Sequence, residues 1–273
     1  MKLKQKAAAY PYVVWLLVFI VVPLILVLYF SLTSKGGGFT LENYKRFMEP
    51  VYGKVLLRSL NLALISTLLC LILGYPMAMI IARTHISKRN LMVLLFVLPM
   101  WMNFLLRTYA WMTLLGKNGV INNVLEMLNL PTLSLLYNNG AVILGMVYNF
   151  LPFMILPIYS VLSKIDHTLI EAARDLGANE ITVFKKIIFP MSLPGVISGI
   201  TMVFMPAVTT FVIPRLLGGG QFMLIGNLVE QQFTYVYDWN FGSAISIIMM
   251  IFILIAMAIM AKFEDQKEEG GLW

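Results

Sequence analysis

Cysteine is almost absent from the 273 residues: Cys70 stands alone, inside an apolar run. That excludes a disulfide framework and a cysteine-based metal site. Histidine is nearly as scarce, with His85 and His167 both at the edges of apolar runs, where they read as polar flanks. Charge is thin as well. Asp, Glu, Lys and Arg make up 12% of the chain, against about 25% in a soluble domain, while 60% is hydrophobic. With a mean hydropathy of +0.84 the chain reads as an integral membrane protein.

Other absences narrow its chemistry. No Asp or Glu falls within the long apolar runs, and ion-coupled carriers usually need intramembrane carboxylates as relays. A phosphate loop of the form G-x-x-x-x-G-K-[ST] is missing; "LLGKNG" lacks the upstream glycine and the hydroxyl residue. Neither H-E-x-x-H nor G-x-S-x-G occurs. The chain is expected to be no enzyme, to hold no metal and to bind no cofactor directly.

What is present is a series of apolar runs long enough to cross a bilayer, which takes roughly 17–25 residues each. They are Tyr12 to Leu32, Ser59 to Ala82, Leu91 to Tyr109, Ala141 to Leu162, Met191 to Pro214 and Phe241 to Ala261. The expected fold is all-α, with six transmembrane helices. The basic leader "MKLKQK" precedes a run too long for a signal peptide, so the first helix is expected to be retained. Placing both termini in the cytoplasm puts roughly twelve of the 20 Lys and Arg residues on that side. This bias accounts for the net charge of +7 without nucleic acid.

The external connections carry structure. In "FTLENYKRFMEP" Thr40 is expected to cap a short helix and Pro50 to end it. "GVINNVLEMLNLP" has apolar Val120, Ile121, Val124, Leu125 and Leu128 at helical spacing, suited to a membrane surface. Prolines inside the runs (Pro23, Pro76, Pro99, Pro152, Pro157 and Pro206) predict bends.

One polar island interrupts this chain, "LIEAARDLGANEITVFKKIIFP" from Leu169 to Pro190. Asp166 is placed to cap a helix starting at His167, with Leu169, Ala173 and Leu176 on one stripe and Glu171 beside Arg174 on another. Gly177 is the expected stop, Asn179 the next cap, Ile181, Phe184 and Ile188 the second stripe, and Pro190 the second stop. Lipid-lying helices favour Lys and Arg, whereas this pair mixes in Glu171, Asp175 and Glu180. It is expected to dock on a soluble partner protein.

The island resembles the EAA loop of type I binding-protein-dependent ABC importer permeases, matching at Glu171, Ala172, Ala173, Gly177, Ile187 and Pro190. "SLNLALISTLLCLILGYPMAMIIAR", "LPMWMNFLLRTYAWM", "FMLIGNLVEQQF" and "DWNFGSAIS" are similar to the spermidine/putrescine importer permeases of that family. The resemblance implies a type I transmembrane domain over 55–262 containing a coupling loop at 163–190. A leading segment 1–54 and a cytoplasmic tail 263–273 flank it. It further implies a second homologous permease, two ATPase subunits that use ATP and magnesium, and an extracytoplasmic polyamine-binding protein, all at a bacterial cytoplasmic membrane. Coupling is then expected of Glu171, Ala172, Ala173, Asp175, Gly177 and Pro190.

A polycation could pass by aromatic faces and carboxylates. The candidates are Trp101, Asn103 and Tyr109, expected within or beside the third span, together with Tyr44, Glu230 and Asp238 on the external side. Arg107 cuts against a simple cation path and is expected to pair with a carboxylate or carbonyl. Another cargo (an organic cation, an amino acid or an anion), or a self-sufficient channel or scaffold, are the alternative readings.

Overall fold

The computed structural model describes residues 11–221 and 223–268. The N-terminal tail with Lys2, Lys4 and Lys6, and the last residues of the C-terminal tail, lie outside them. Twelve helices are named among the described residues. They are α1 Pro11–Ser31, α2 Glu42–Phe47, α3 Pro50–Arg83, α4 Ile86–Trp101, α5 Phe104–Leu115, α6 Val120–Met127, α7 Asn139–Leu162, α8 His167–Asp175, α9 Glu180–Thr209, α10 Val212–Leu217, α11 Ile225–Thr234 and α12 Trp239–Glu268. Five of them (α1, α3, α7, α9 and α12) are long and apolar enough to cross a membrane alone. A sixth span exists if the bent pair of α4 with Phe104–Met127 counts as one.

Three expectations change. The run Leu91 to Tyr109 is not one helix: it breaks after Trp101 and turns by 91°. Pro99 weakens the last turn of α4, and Asn103 starts a new helix by accepting the Leu105 and Leu106 N–H groups at 2.8 and 3.4 Å. Pro50 opens α3 rather than ending the helix before it, because its missing N–H is no loss in a first turn. The Met191 to Pro214 run stops at Thr209, and Pro214 belongs to the separate short α10.

The chain divides into two compact units. The first comprises the described residues up to Leu56 with Leu228–Ile255; the second comprises Leu57–Asn227 and the chain from Ala256. In the first unit α1 is apolar around its whole circumference, and its apolar window buries nothing inside the chain. Such a helix fits a lipid solvent. Phe241, Ala244 and Ile245 of α12 are fully buried apolar positions of that unit.

In the second unit α7 is the central element. Val142, Met146, Met154, Ile155 and Ile158 on α7 are all fully buried. Helix α9 packs along it closely. A Cβ at Gly195 would come within 2.8 Å of the Pro157 carbonyl, and one at Gly199 within 2.8 Å of the Met154 sulfur. Small residues let backbones approach where lipid offers no hydrophobic drive between helices. Helix α3 joins the same core through Gly74, beside Met154 and Ile155, and through Ser66, whose hydroxyl donates to the Met146 sulfur at 3.3 Å.

Gly195→Val should therefore cost about 1–3 kcal/mol by overpacking, read as a lower unfolding temperature of the detergent-purified protein. Gly53→Ala, where a Cβ meets nothing within 4 Å, should unfold no earlier than the parent. Equal midpoints for the valine variant would contradict the α7–α9 approach.

Candidate functional site

The polar island of the second unit is built by three local devices. Asp166 accepts the Thr168 N–H at 2.9 Å and starts α8. At its other end the Gly177 N–H reaches the Arg174 carbonyl at 2.8 Å, and the Ala178 N–H reaches the Ala173 carbonyl at 3.0 Å. That pair of bonds closes the helix with Gly177 left-handed at φ +84°. Asn179 then accepts the Thr182 N–H at 2.8 Å and starts α9. All three were legible as caps in the sequence.

Two details differ from the sequence reading. Arg174 pairs with Glu180 across the glycine turn, Nη2 to Oε1 at 2.8 Å, instead of with Glu171. Both side chains are largely exposed, so the pair is worth about 0–1 kcal/mol. Nor does Pro190 stop the second helix: Glu180–Thr209 is continuous. Residues Phe184–Ile188 form a π-turn in which the Phe189 N–H bonds the Phe184 carbonyl. The widened turn sits just before Pro190, whose missing N–H and ring would otherwise break an α-register.

The surface this produces is apolar where a soluble helix would be polar. Leu176 is 89% exposed, Ile181 65% and Leu169 47%. Glu171, Ala172 and Asp175 are exposed beside them, and Ala173 is half-buried. Val183 and Ile188 are buried and tie the second segment down.

In the first unit, Tyr44 and Asp238 belong to one polar cluster. The Tyr44 hydroxyl donates to Ser31 Oγ at 2.8 Å. Arg46 Nη1 donates to Asp238 Oδ2 at 3.0 Å, with Lys35 Nζ 3.9 Å from the same oxygen. The Arg46 guanidinium also lies 4.0 Å over the Phe241 ring. Burial alone would lower the Arg46 pKa, but hydrogen bonds with Tyr52 and Asp238 and their charges hold it above its ordinary value. Asn240 Nδ2 donates to the Phe30 and Thr33 carbonyls at 3.0 and 2.7 Å, and Asn43 Nδ2 to the Ser31 and Thr33 carbonyls. A polar cavity of about 520 Å³ opens beside Lys35, Glu42, Arg46, Glu49 and Asp238. Sequence reasoning missed Asn43, 12 and 10 residues from its carbonyls, and Asn240, 210 and 207 residues from its own, since nothing local links either asparagine to them. The N-cap of α2 is Leu41 rather than the expected Thr40, which stands one residue earlier and accepts the Glu42 N–H at 3.1 Å.

The remaining candidates are dispersed. Trp101, 75% exposed, ends α4, and Tyr109, 46% exposed, lies on α5. Asn103 is occupied as the cap between those helices. Glu230 is half-buried on α11 in the first unit. Arg107, 8% exposed on α5, has no hydrogen-bond acceptor for Nε or Nη1 among the described residues. Trp111, one turn further on, meets Tyr148 of α7 edge-on at 5.3 Å.

The family described as the inner membrane component of binding-protein-dependent transport systems matches residues 71–268. The chain belongs to this family. The match spans the glycine-packed core and the whole polar island. Over 262 residues it is 40% identical to the spermidine/putrescine transport system permease protein PotB of Haemophilus influenzae, covering 93% of this chain and 91% of that protein. The PotB of Escherichia coli K12 is likewise 40% identical, over 87% of this chain and 89% of its own length.

Solved structures show the same fold. A chain of a bacterial ABC transporter that imports the acidic polysaccharide alginate superposes with a TM-score of 0.83 at 16% identity, covering 96% of this chain and 95% of that one. A chain of the methionine transporter MetNI gives 0.56 at 18% identity, over 81% of this chain and 99% of that one. This permease is thus a multi-span helical component of a bacterial inner membrane.

Arg46→Ala takes the 3.0 Å partner from a nearly buried Asp238 carboxylate and leaves the more distant Lys35, and should cost this unit about 1–3 kcal/mol. Faster proteolysis within residues 34–42 would report it. Glu180→Gln, which removes only the exposed pair, should leave the proteolysis rate unchanged.

Proposed function

We propose that the chain is one permease subunit of an ATP-driven polyamine importer, with spermidine or putrescine as cargo. The carrying observation is the 40% identity to a spermidine/putrescine permease along 93% of this chain. A second, homologous permease completes the pathway in this reading. Two ATPase subunits hydrolyse ATP with magnesium, and an extracytoplasmic binding protein delivers the polyamine. The N- and C-termini lie in the cytoplasm, where the basic residues gather. The transmembrane domain proper is 55–262, after a leading segment 1–54 and before a tail 263–273.

Work enters through the 163–190 loop. Glu171, Ala172, Ala173, Asp175 and Gly177 form a knob whose exposed Leu169, Leu176 and Ile181 seat in a cleft of an ATPase subunit. Pro190 and the π-turn carry the knob into α9. The knob's apolar exposure supports a protein partner. Water gives such side chains no reason to stay uncovered, and lipid would be met by a more basic face.

The cargo path is assigned to Trp101 and Tyr109 as cation–π surfaces. Asn103 shapes the break between them, and Tyr44, Glu230 and Asp238 hold the entrance. A second reading, an anionic cargo, draws on Arg107, whose buried Nε and Nη1 lack an acceptor among the described residues.

The test is uptake of labelled spermidine by importer-deficient cells expressing this chain with its partner subunits. Saturable uptake is expected, with competition by putrescine and none by sulfate or glutamate. Competition by anions alone would favour the second reading. Gly177→Asp puts a side chain on a left-handed turn at φ +84°. Uptake by the assembled complex should then fall about tenfold or more, equivalent to ~1.4 kcal/mol of lost coupling. Trp101→Leu should weaken uptake while leaving ATP hydrolysis in place; unchanged uptake would remove Trp101 from the path.

A further inference from the structure

Two weakened points in different helices of the second unit meet at one buried side chain. On α3, Tyr75 precedes Pro76, where the helix loses a backbone hydrogen bond. On α9, the π-turn Phe184–Ile188 precedes Pro190. The Tyr75 hydroxyl lies 2.8 Å from Ser192 Oγ. Ser192 commits its own proton to the Phe189 carbonyl at 2.9 Å. Tyr75 is therefore the donor, and the chain of bonds runs from Tyr75 through Ser192 to the carbonyl of Phe189, the residue that closes the π-turn. The Tyr75 ring also stands edge-on to Phe184 at 5.8 Å and tilted against Phe189 at 6.0 Å. Phe184 and Phe189, the residues joined by the five-residue backbone bond, are themselves 6.1 Å apart. Ser192 is fully buried and Tyr75 nearly so.

We propose that Tyr75 is the positioning residue that passes movement of the polar island from α9 into α3. The inference rests on the coupling role given to that island above. Turning the π-turn into α-helix removes one residue from its register, which rotates everything before it by about 100° about the helix axis. Phe184, Ile181 and the knob would swing away from Tyr75 together. With Tyr75 bonded to Ser192 and wedged between the two phenylalanines, the island and α9 hold one rotational setting. The backbone hydrogen bond missing at Pro76 lets α3 flex there and follow. Two discrete packings joined by one hydrogen bond are what a switching element needs, since packed interiors are bistable rather than continuously deformable. The bond lies against the Phe184 and Phe189 rings, where a polar group left without its partner is costly.

The experiment compares purified complexes, each with partner permease, ATPase subunits and binding protein, in proteoliposomes. Spermidine uptake and ATP hydrolysis are measured together. Tyr75→Phe keeps the ring and removes the hydroxyl, and Ser192→Ala removes its partner. Each should assemble normally and hydrolyse ATP, yet move about five times less spermidine per ATP or fewer. The double variant should be no worse than either single one, because they share one bond. Leu176→Asp serves as the reference for the knob, and its ATPase subunits should no longer co-purify. Loss of co-purification there, with parental uptake per ATP in Tyr75→Phe and Ser192→Ala, would overturn the positioning role and spare the coupling role. Retained ATPase binding and parental uptake in Leu176→Asp would overturn the coupling role itself. Lower yield or stability of Tyr75→Phe at a parental uptake-to-ATP ratio would mark Tyr75 as mere packing and also sink the proposal.

Discussion

A backbone group inside a bilayer finds no water, so every departure from helix must be satisfied by the chain itself. That constraint organises this permease. At the break between α4 and α5, the Asn103 carboxamide takes two N–H groups that no preceding turn can reach. Beyond the end of α9, Asn227 Nδ2 donates to the Phe211 carbonyl at 2.7 Å. Ser59 Oγ, on the long α3, accepts the Ile225 N–H at 2.8 Å as α11 begins. Asn122, fully buried, holds three bonds with the Gly116 and Leu133 backbone and so closes the connection around α6. In each case a small polar side chain does what water would do elsewhere.

The same constraint explains the division of labour between helices. The apolar window of α1 buries nothing inside the chain and needs no pattern, whereas more than half of the α7 window is buried and carries the close-packed core. Glycines at 195 and 199 allow α9 to lie against it. Helix α9 extends beyond this contact through the π-turn to the polar island. It is thus one continuous lever with its short arm at the knob.

Much of the candidate site was readable in advance because it is local. Asp166, Gly177 and Asn179 act within three residues of themselves, and cap chemistry is a short-range matter. The family resemblance rested on residues of the same short stretch, Gly177 among them. Expectations failed where a local cue had two outcomes. Pro190 could end a helix or be absorbed by a π-turn, and Pro50 could close one helix or open the next. The Leu91–Tyr109 run showed unbroken apolarity, yet an asparagine after a proline-weakened turn is also a starting cap. Hydropathy measures what a segment can bury and is silent about its bends.

The amino-acid sequence by itself determined the solvent of this protein, its all-α class, its capped polar island and its family. Each depends on composition or on residues a few positions apart. Only the tertiary structure decided that Arg46 spans to Asp238, that Asn240 latches the Phe30–Thr33 turn, and that Tyr75 bonds Ser192. These contacts join residues 192, 210 or 207, and 117 positions apart. Their partners are chosen by how helices pack, and packing depends on shape at separations where sequence carries no local signal.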